Sequence, residues 1–567
     1  MTTTERTPSA TDGEVRWTHC PSCSGMIYLR RLWRHDKVCP DCSYHFRLGL
    51  SDRLTMLLDP DSHQWFDSEL TARDVLSFSD TRPYGERLAK ARETTGAGEA
   101  VRWGLGRIHD NPVVVAGLDF AFLGGSIGGV TGELLARAAR AALHRRIPLL
   151  LVTASGGARM QEGVVALAQL AKTSQEIGRL REAGVLVLNI NTDPTYGGAT
   201  ASFATLGDVV LAEPGARIGF AGKNVIQQTI RAELPHNFQT AEFLARNGMC
   251  DLVVPRGELR STVARLLSLH GQDAPEEATP GGGRIDDPDG LDRRAAADVV
   301  AAARDVQRPT TLDYCGLVFD EFVELHGDRV GADDPAIVGG LARFAGRAVV
   351  VLGHQKGHTT GELVERNFGM PQPGGYHKAR RMMDHAQRHG MPLVTFVDTP
   401  GAYPGVEAER HGQGTAIAEA ILRMSRLTVP TVVVVTGEGG SGGALALGVG
   451  NRMLMLEQAY FSVISPEGCS TILFGSSEHS AVAAESLRLT AADLMRLGVV
   501  DGAVPEPEGG AQSDHASTAA NIRAALRESL AELSGLSPEQ LLEQRWARVA
   551  AIGDPGVQAA LGEPSGR

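Results

Sequence analysis

Aromatic residues make up only 5% of this 567-residue chain. Cores built on large aromatic anchors are thereby disfavoured, and close backbone approach has to supply more of the packing. Positive charge is in deficit: 55 Lys and Arg stand against 67 Asp and Glu, for a formal charge of −12. That balance argues against affinity of the whole chain for nucleic acid. No apolar run approaches the ~18 residues that span a bilayer, and the opening MTTTERTPSA lacks a secretory apolar stretch. A cytoplasmic protein without membrane contact is the expectation. The pattern G-x-x-x-x-G-K-[ST] and the pattern H-E-x-x-H are both missing. Neither P-loop ATP hydrolysis nor that class of metalloprotease is therefore supported. Cysteines number seven, an odd count, and a disulfide framework is not expected in so large a chain.

Glycine, by contrast, is abundant, with 67 residues where the usual ~7% would give about 40. The length suggests three or so domains at ~100–200 residues each. Four cysteines open the chain as Cys20-Pro-Ser-Cys23 and Cys39-Pro-Asp-Cys42. Each C-x2-C turn points two thiolates at one ion, and two such turns complete a tetrahedron. Four unrelated thiols would leave the paired spacing unexplained. With every position filled by protein, one structural zinc is expected, stabilising a piece too small to own a core.

Further along, short apolar strands (VVVAGLDF, LLLVT, VLVLNI) alternate with helical stretches, which implies β/α crossovers. Residues from about 50 to 110 read as amphipathic helices and loops. Residues 269–308 are rich in Gly, Pro and acid and read as a linker ending in a short Ala-rich helix. The expected division is a disordered stretch 1–16, a zinc ribbon 17–48, a β/α domain 49–268, the linker 269–308, a second β/α domain 309–550 and a tail 551–567.

The two large domains repeat one layout. IPLLLVTASGGA in the first answers MPLVTFVDTPGA in the second. Gly156 and Gly157 precede Gly197 and Gly198 by 41 residues, as Gly401 and Ala402 precede Gly442 and Gly443. Each downstream pair follows an apolar strand and opens a small-residue helix. A helix N-terminus offers unpaired N–H groups and partial positive charge, which stabilise an oxygen gaining negative charge. Without a Cβ, Gly198 and Gly443 let a substrate carbonyl reach those amides. G-x-S-x-G also occurs, around Ser126 and Ser441, but a glycine-rich chain generates that hydrolase pattern easily.

Longer segments resemble a known family. The two cysteine turns, FLGGSIGG, TASGGARMQEG, TDPTYGGATASFATLGD, AEPGARIGFAG and LPHNFQTAEFL closely resemble the β subunit of acetyl-coenzyme A carboxylase carboxyltransferases. HQKG, RNFGMPQPGGYHKARRMM, FVDTPGAYPGVEAE, GEGGSGGALALGVGN and SPEGCSTIL resemble the α subunit. The resemblance implies a β–α fusion with a crotonase-type fold in both halves. It implies transfer of a carboxyl group from carboxybiotin, borne on a separate biotin carboxyl carrier protein, to acetyl-CoA, giving malonyl-CoA for fatty acid synthesis. Propionyl-CoA or another acyl-CoA is the alternative acceptor. A biotin carboxylase is the further partner, and a homodimer equivalent to an α2β2 assembly is expected.

Carried over by motif, Gly197 and Gly198 form one oxyanion hole, for the thioester, and Gly443 and Ala444 the other, for biotin. Gly156, Gly157, Ala158 and Arg159 are expected to shape the acyl-CoA side, and Gly401, Ala402 and Gly442 the biotin side. For Arg159 a structural ion pair is an equal alternative. His354 and Lys356 are candidates for CoA phosphates or ordinary surface groups. Carboxybiotin would supply the base itself, which accounts for the lack of a convincing Ser/His/Asp set.

Overall fold

A computed structural model of the chain describes residues 17–231, 233–271 and 283–554. The expected disordered stretch 1–16 and most of the expected tail lie outside the described residues.

Each large half is built on an eight-stranded sheet with the same strand plan. In the N-terminal half the order is Leu252–Val253, Val209–Ala212, Val187–Tyr196, Leu149–Ser155, Asn111–Leu118, Val101–Ile108 and Gln64–Phe66. In the C-terminal half it is Gly502–Val504, Arg452–Leu456, Thr431–Gly440, Leu393–Thr399, Arg347–His354, Ile337–Phe344 and Glu321–Glu324. The centre of each sheet is parallel and one edge antiparallel. Central strands such as Leu149–Ser155 and Leu393–Thr399 are buried at every residue, as strands covered on both faces must be. Each antiparallel edge turns through two positive-φ residues, His109-Asp110 and Ala345-Gly346, the backbone of a tight primed hairpin.

Equivalent positions stand a constant 244 residues apart: 149 and 393, 157 and 401, 197 and 441. Both sheets shift register near the carboxyl end of the central strands, between Thr153 and Ser155 and between Val397 and Thr399. Beyond the shift, Val187–Tyr196 and Thr431–Gly440 still pair with the central strand through Ser155 and Thr399, and on their other side pair with Ile218–Gly219 and Tyr460–Ser462. The end of each long strand is thereby steered towards a short helical turn.

Two expectations need correction. Residues 50–110 are not only helices and loops, because Val101–Ile108 is a full strand. Its glycines hide the pattern: a Cβ on Gly104 would lie 2.2 Å from the Gln64 carbonyl oxygen. The stretch read as a linker is only partly one. Residues 272–282 lie outside the described residues, but Ile285 pairs with Ala503 and helix Ala296–Ala303 packs into the C-terminal half through Val299 and Val300.

One apolar cluster runs through both halves. At their junction Arg329 and Arg381 reach the buried Asp251, and Arg388 Nη1 lies 2.5 Å from Asp208 Oδ1. Helices His515–Ser534 and Pro538–Ala551 complete the C-terminal half, where the fully buried Arg545 donates to the Met424 and Val429 carbonyls. No described helix is long and apolar enough to cross a membrane.

Candidate active site

In the N-terminal half the site begins where strand Leu149–Ser155 stops. Ser155 Oγ donates to the Gly125 carbonyl at 2.7 Å and accepts the Gly157 N–H at 3.1 Å. The Gly156 N–H is held by the Gly124 carbonyl at 2.8 Å, and Ile127 bonds Gly157 and Arg159 on either side of Ala158. This zipping leaves the Ala158 amide out: it forms no hydrogen bond among the described residues. Gly157 has φ +108, and a Cβ there would lie 3.2 Å from the Gly198 nitrogen. A Cβ on Gly198 would in turn lie 3.3 Å from the Ala158 nitrogen. Two amides, Ala158 and Gly198, are thus neighbours, and neither has a partner among the described residues. Gly197 stands apart from them. Its N–H donates to the Gly219 carbonyl at 3.2 Å, and its φ of +59 makes the turn.

The C-terminal half repeats this geometry. Thr399 Oγ1 accepts the Gly401 N–H at 3.0 Å, as Ser155 does for Gly157. Gly401 has φ +148 and Ser441, in the place of Gly197, has φ +54. The equivalents of Ala158 and Gly198 are therefore Ala402 and Gly442. Neither amide has a hydrogen bond among the described residues, and helix Ser441–Leu445 leaves its first-turn N–H groups free in any case. Gly442 is half-buried, whereas Gly443 and Ala444 are buried. Gly443 serves packing: a Cβ on it would sit 2.4 Å from the Ala402 nitrogen. Ala444 turns its methyl group into the core. Of the residues carried over for this half, Gly442 is thus the half-buried one and Gly443 and Ala444 the buried ones.

Other expectations fare differently. Arg159 does not line a substrate surface. Its guanidinium is 1% exposed and donates to Glu99 at 2.5 Å, Glu162 at 3.0 Å and the Ser126 carbonyl at 2.8 Å. Burial works against its charge, and Glu99 more than compensates, raising its pKa. It braces the 156–158 turn against the FLGGSIGG loop. Ser126 Oγ accepts from Arg159 Nε at 3.1 Å, so that serine faces a cation rather than a base. His354 is 1% exposed and burial pushes its pKa down to about 3. Lys356 Nζ is pinned 2.8 Å from Asp398 and 2.7 Å from Glu438. Both are interior groups and neither is placed to meet a phosphate.

The four cysteines come together as expected. Cys20 Sγ lies 3.6 Å from Cys42 Sγ, and Cys23 Sγ 3.9 Å from Cys39 Sγ. Tetrahedral zinc with bonds of ~2.3 Å needs sulfur separations of about 3.8 Å, so the four thiols fit that ion. The two turns share one backbone: Ser24 and Ser43 follow the second cysteine of each with φ +59 and +60. Sequence reading missed how the ribbon is attached. Buried Arg256 donates to the Asp36 carbonyl at 2.7 Å and the Phe46 carbonyl at 2.9 Å, and clasps Glu213. Burial alone would raise the Glu213 pKa, but Arg53 and Arg256 bring it down to about 2.

Comparison with known proteins agrees with this architecture. Residues 292–553 match a family model described as acetyl co-enzyme A carboxylase carboxyltransferase-like. The chain is 64% identical over 542 residues to the acetyl-coenzyme A carboxylase carboxyl transferase subunits beta/alpha of Saccharopolyspora erythraea, covering 96% of this chain and 95% of that one. The protein of the same name from Natranaerobius thermophilus is 41% identical over 554 residues, covering 95% and 91%. Among solved structures, transcarboxylase 12S, with methylmalonyl-coenzyme A and methylmalonic acid bound, aligns with a TM-score of 0.69 at 22% identity, covering 89% of this chain and 92% of that one. At that identity the likeness is one of fold, the crotonase type in both halves. The chain belongs to the acetyl-coenzyme A carboxylase carboxyltransferase family, with a β-type half and an α-type half joined in one polypeptide.

Proposed function

We propose that the chain transfers the carboxyl group of carboxybiotin, delivered by a separate biotin carboxyl carrier protein, to acetyl-CoA. The product is malonyl-CoA, a precursor for fatty acid synthesis. The observation that carries this reading is the pair of matched turns, each with two adjacent amides that have no hydrogen-bond partner among the described residues. Carboxybiotin supplies the CO2 and, once it is released, the base that takes the α-proton of the thioester. Negative charge then appears on two oxygens in succession. The Ala402 and Gly442 N–H groups are assigned to the ureido oxygen, and the Ala158 and Gly198 N–H groups to the thioester oxygen. Fixed amides of this kind stabilise charge without reorganising, and the chain's remaining task is to bring the reactants together. The zinc ribbon has no open ligand position and takes a structural role.

Acetyl-CoA is favoured as acceptor by the names of the full-length relatives. The methylmalonyl-CoA bound to transcarboxylase 12S keeps propionyl-CoA as the competitor. The test offers equimolar acetyl-CoA and propionyl-CoA to the purified chain with carboxylated carrier. Malonyl-CoA as the main product supports the reading. A methylmalonyl-CoA excess overturns the acceptor, and no product overturns the reaction.

We infer that a second copy closes the site, with the N-terminal turn of one copy facing the C-terminal turn of the other. Exposed apolar side chains follow the first turn in sequence, namely Met160 (80% exposed), Val164 and Leu167, and the C-terminal half exposes Val463, Ile472 and Leu473. Surface of this kind marks an interface. In light scattering the native chain is expected at twice its monomer mass. Val164→Asp with Leu167→Asp is expected to give folded monomers with at least ~100-fold less activity, since the two turns that hold the two reactants then no longer face each other.

A further inference from the structure

Three histidines that the reaction does not use meet at the junction of the two halves. His270 follows helix Leu259–Ser268 of the N-terminal half, and His385 and His389 stand one turn apart on helix Pro373–His389 of the C-terminal half. The i, i+4 spacing puts the latter two on one face. His270 Nδ1 lies 2.6 Å from the Leu266 carbonyl oxygen, which can only accept, so Nδ1 carries the proton and Nε2 keeps a lone pair. That Nε2 is 2.8 Å from His385 Nε2. His389 Nε2 has no hydrogen-bond partner among the described residues, although its side chain is only 5% exposed. Its nearest charged neighbour is Asp208 Oδ2 at 3.7 Å. One ring nitrogen from each histidine falls within 4.8 Å of the other two.

A stack of three core imidazoles explains the ring contacts but leaves a buried ring nitrogen unpaired, which is costly. A cation at the centre removes that cost. We propose that His270, His385 and His389, with the Asp208 carboxylate beside His389, hold a divalent transition-metal ion of the zinc class that cross-links the two halves. Three imidazole nitrogens suit such an ion, and the adjoining carboxylate offsets its charge. Tetrahedral ligands at ~2.0–2.1 Å stand about 3.3 Å apart, within the spread seen here. Outer-shell support is in place: the Leu266 carbonyl orients His270, and the Val187 N–H holds Asp208 Oδ2 at 2.9 Å, the arrangement that positions metal ligands elsewhere. Burial drives the His270 pKa down to about 3 and that of His385 well below its ordinary value. A cavity of about 900 Å³ between the halves, lined in part by Asp208, His385 and Arg388, gives an ion its way in.

The test uses the untagged full-length chain, stripped of metal and titrated with Co(II). Two equivalents per chain are expected: one with thiolate-to-cobalt charge-transfer absorption from the cysteines, one with d–d bands alone. His385→Gln combined with His389→Gln is expected to lose the second equivalent and keep the first. A single equivalent in the native chain, or a second one that survives in the double variant, overturns the proposal. Should the variant not fold, X-ray absorption of the native Zn(II)-loaded chain decides instead. Mixed sulfur and nitrogen shells at two ions per chain support the site, and sulfur alone at one ion per chain overturns it.

Discussion

Gly443→Ala is expected to lower kcat by about 10³ or more while leaving the KM for acyl-CoA near its native value. The added Cβ would lie 2.4 Å from the Ala402 nitrogen, 2.7 Å from the Gly401 carbonyl carbon and 3.0 Å from the Tyr376 hydroxyl. The first two are backbone atoms beside a buried turn, so nothing flexible can yield. Overpacking of this kind costs about 1–3 kcal/mol of stability, which a chain of this size survives. The catalytic cost is larger, because the Ala402 amide must move away from Gly442. Loss of one oxyanion donor typically costs 10²–10³ in rate, and here both members of a pair are disturbed. The acyl-CoA side lies in the other half, which is why its KM is spared. Parallel assays of kcat and KM check the split, and a fall of less than tenfold in kcat would contradict it.

Arg159→Met is expected to destabilise the N-terminal half by about 3–5 kcal/mol, the usual cost of leaving buried carboxylates without their cation. Glu99 and Glu162 are the groups stranded, at 4% and 3% exposure. Tyr84 donates to Glu162 at 2.6 Å, but one neutral hydroxyl does not replace a guanidinium. Arg159→Lys is not expected to rescue, since a single ammonium cannot reproduce the fork that reaches Glu99, Glu162 and the Ser126 carbonyl together. Denaturant unfolding followed on the N-terminal half measures the loss. A change below 1 kcal/mol would show that the turn is held by something else.

Much of this was legible in the sequence. Leu149–Ser155, Val187–Tyr196 and Leu393–Thr399 stand out because strands covered on both faces must be apolar throughout. The cysteine turns stand out because four thiolates around one ion demand paired spacing. The duplication could be seen because both halves keep one separation between turn and helix. The register of the second site was not legible. Glycine identity aligns Gly442-Gly443 with Gly197-Gly198, whereas the backbone aligns Ser441-Gly442 with them, since Ser441 takes the positive φ that Gly197 takes in the first half. A left-handed serine is rare enough that residue type misleads there. The role of Arg159 was open for another reason: Glu99 and Tyr84 lie 60 and 75 residues away, and no local pattern reports such partners. Strand Val101–Ile108 escaped notice because Gly104 and Gly106 stand where a strand pattern leads one to expect larger residues.

The account rests on main-chain donors, so the most direct measurement removes one of them. Proline at residue 442 lacks the N–H and is tolerated in a first helical turn. Alanine at 442 keeps the N–H, and its Cβ would meet only Ile417, at 3.7 Å. Turnover of Gly442→Pro is expected to fall by about 10²–10³ and that of Gly442→Ala by far less, with both chains folded and dimeric. Equal turnover in the two variants would contradict the assignment of this amide to the developing charge.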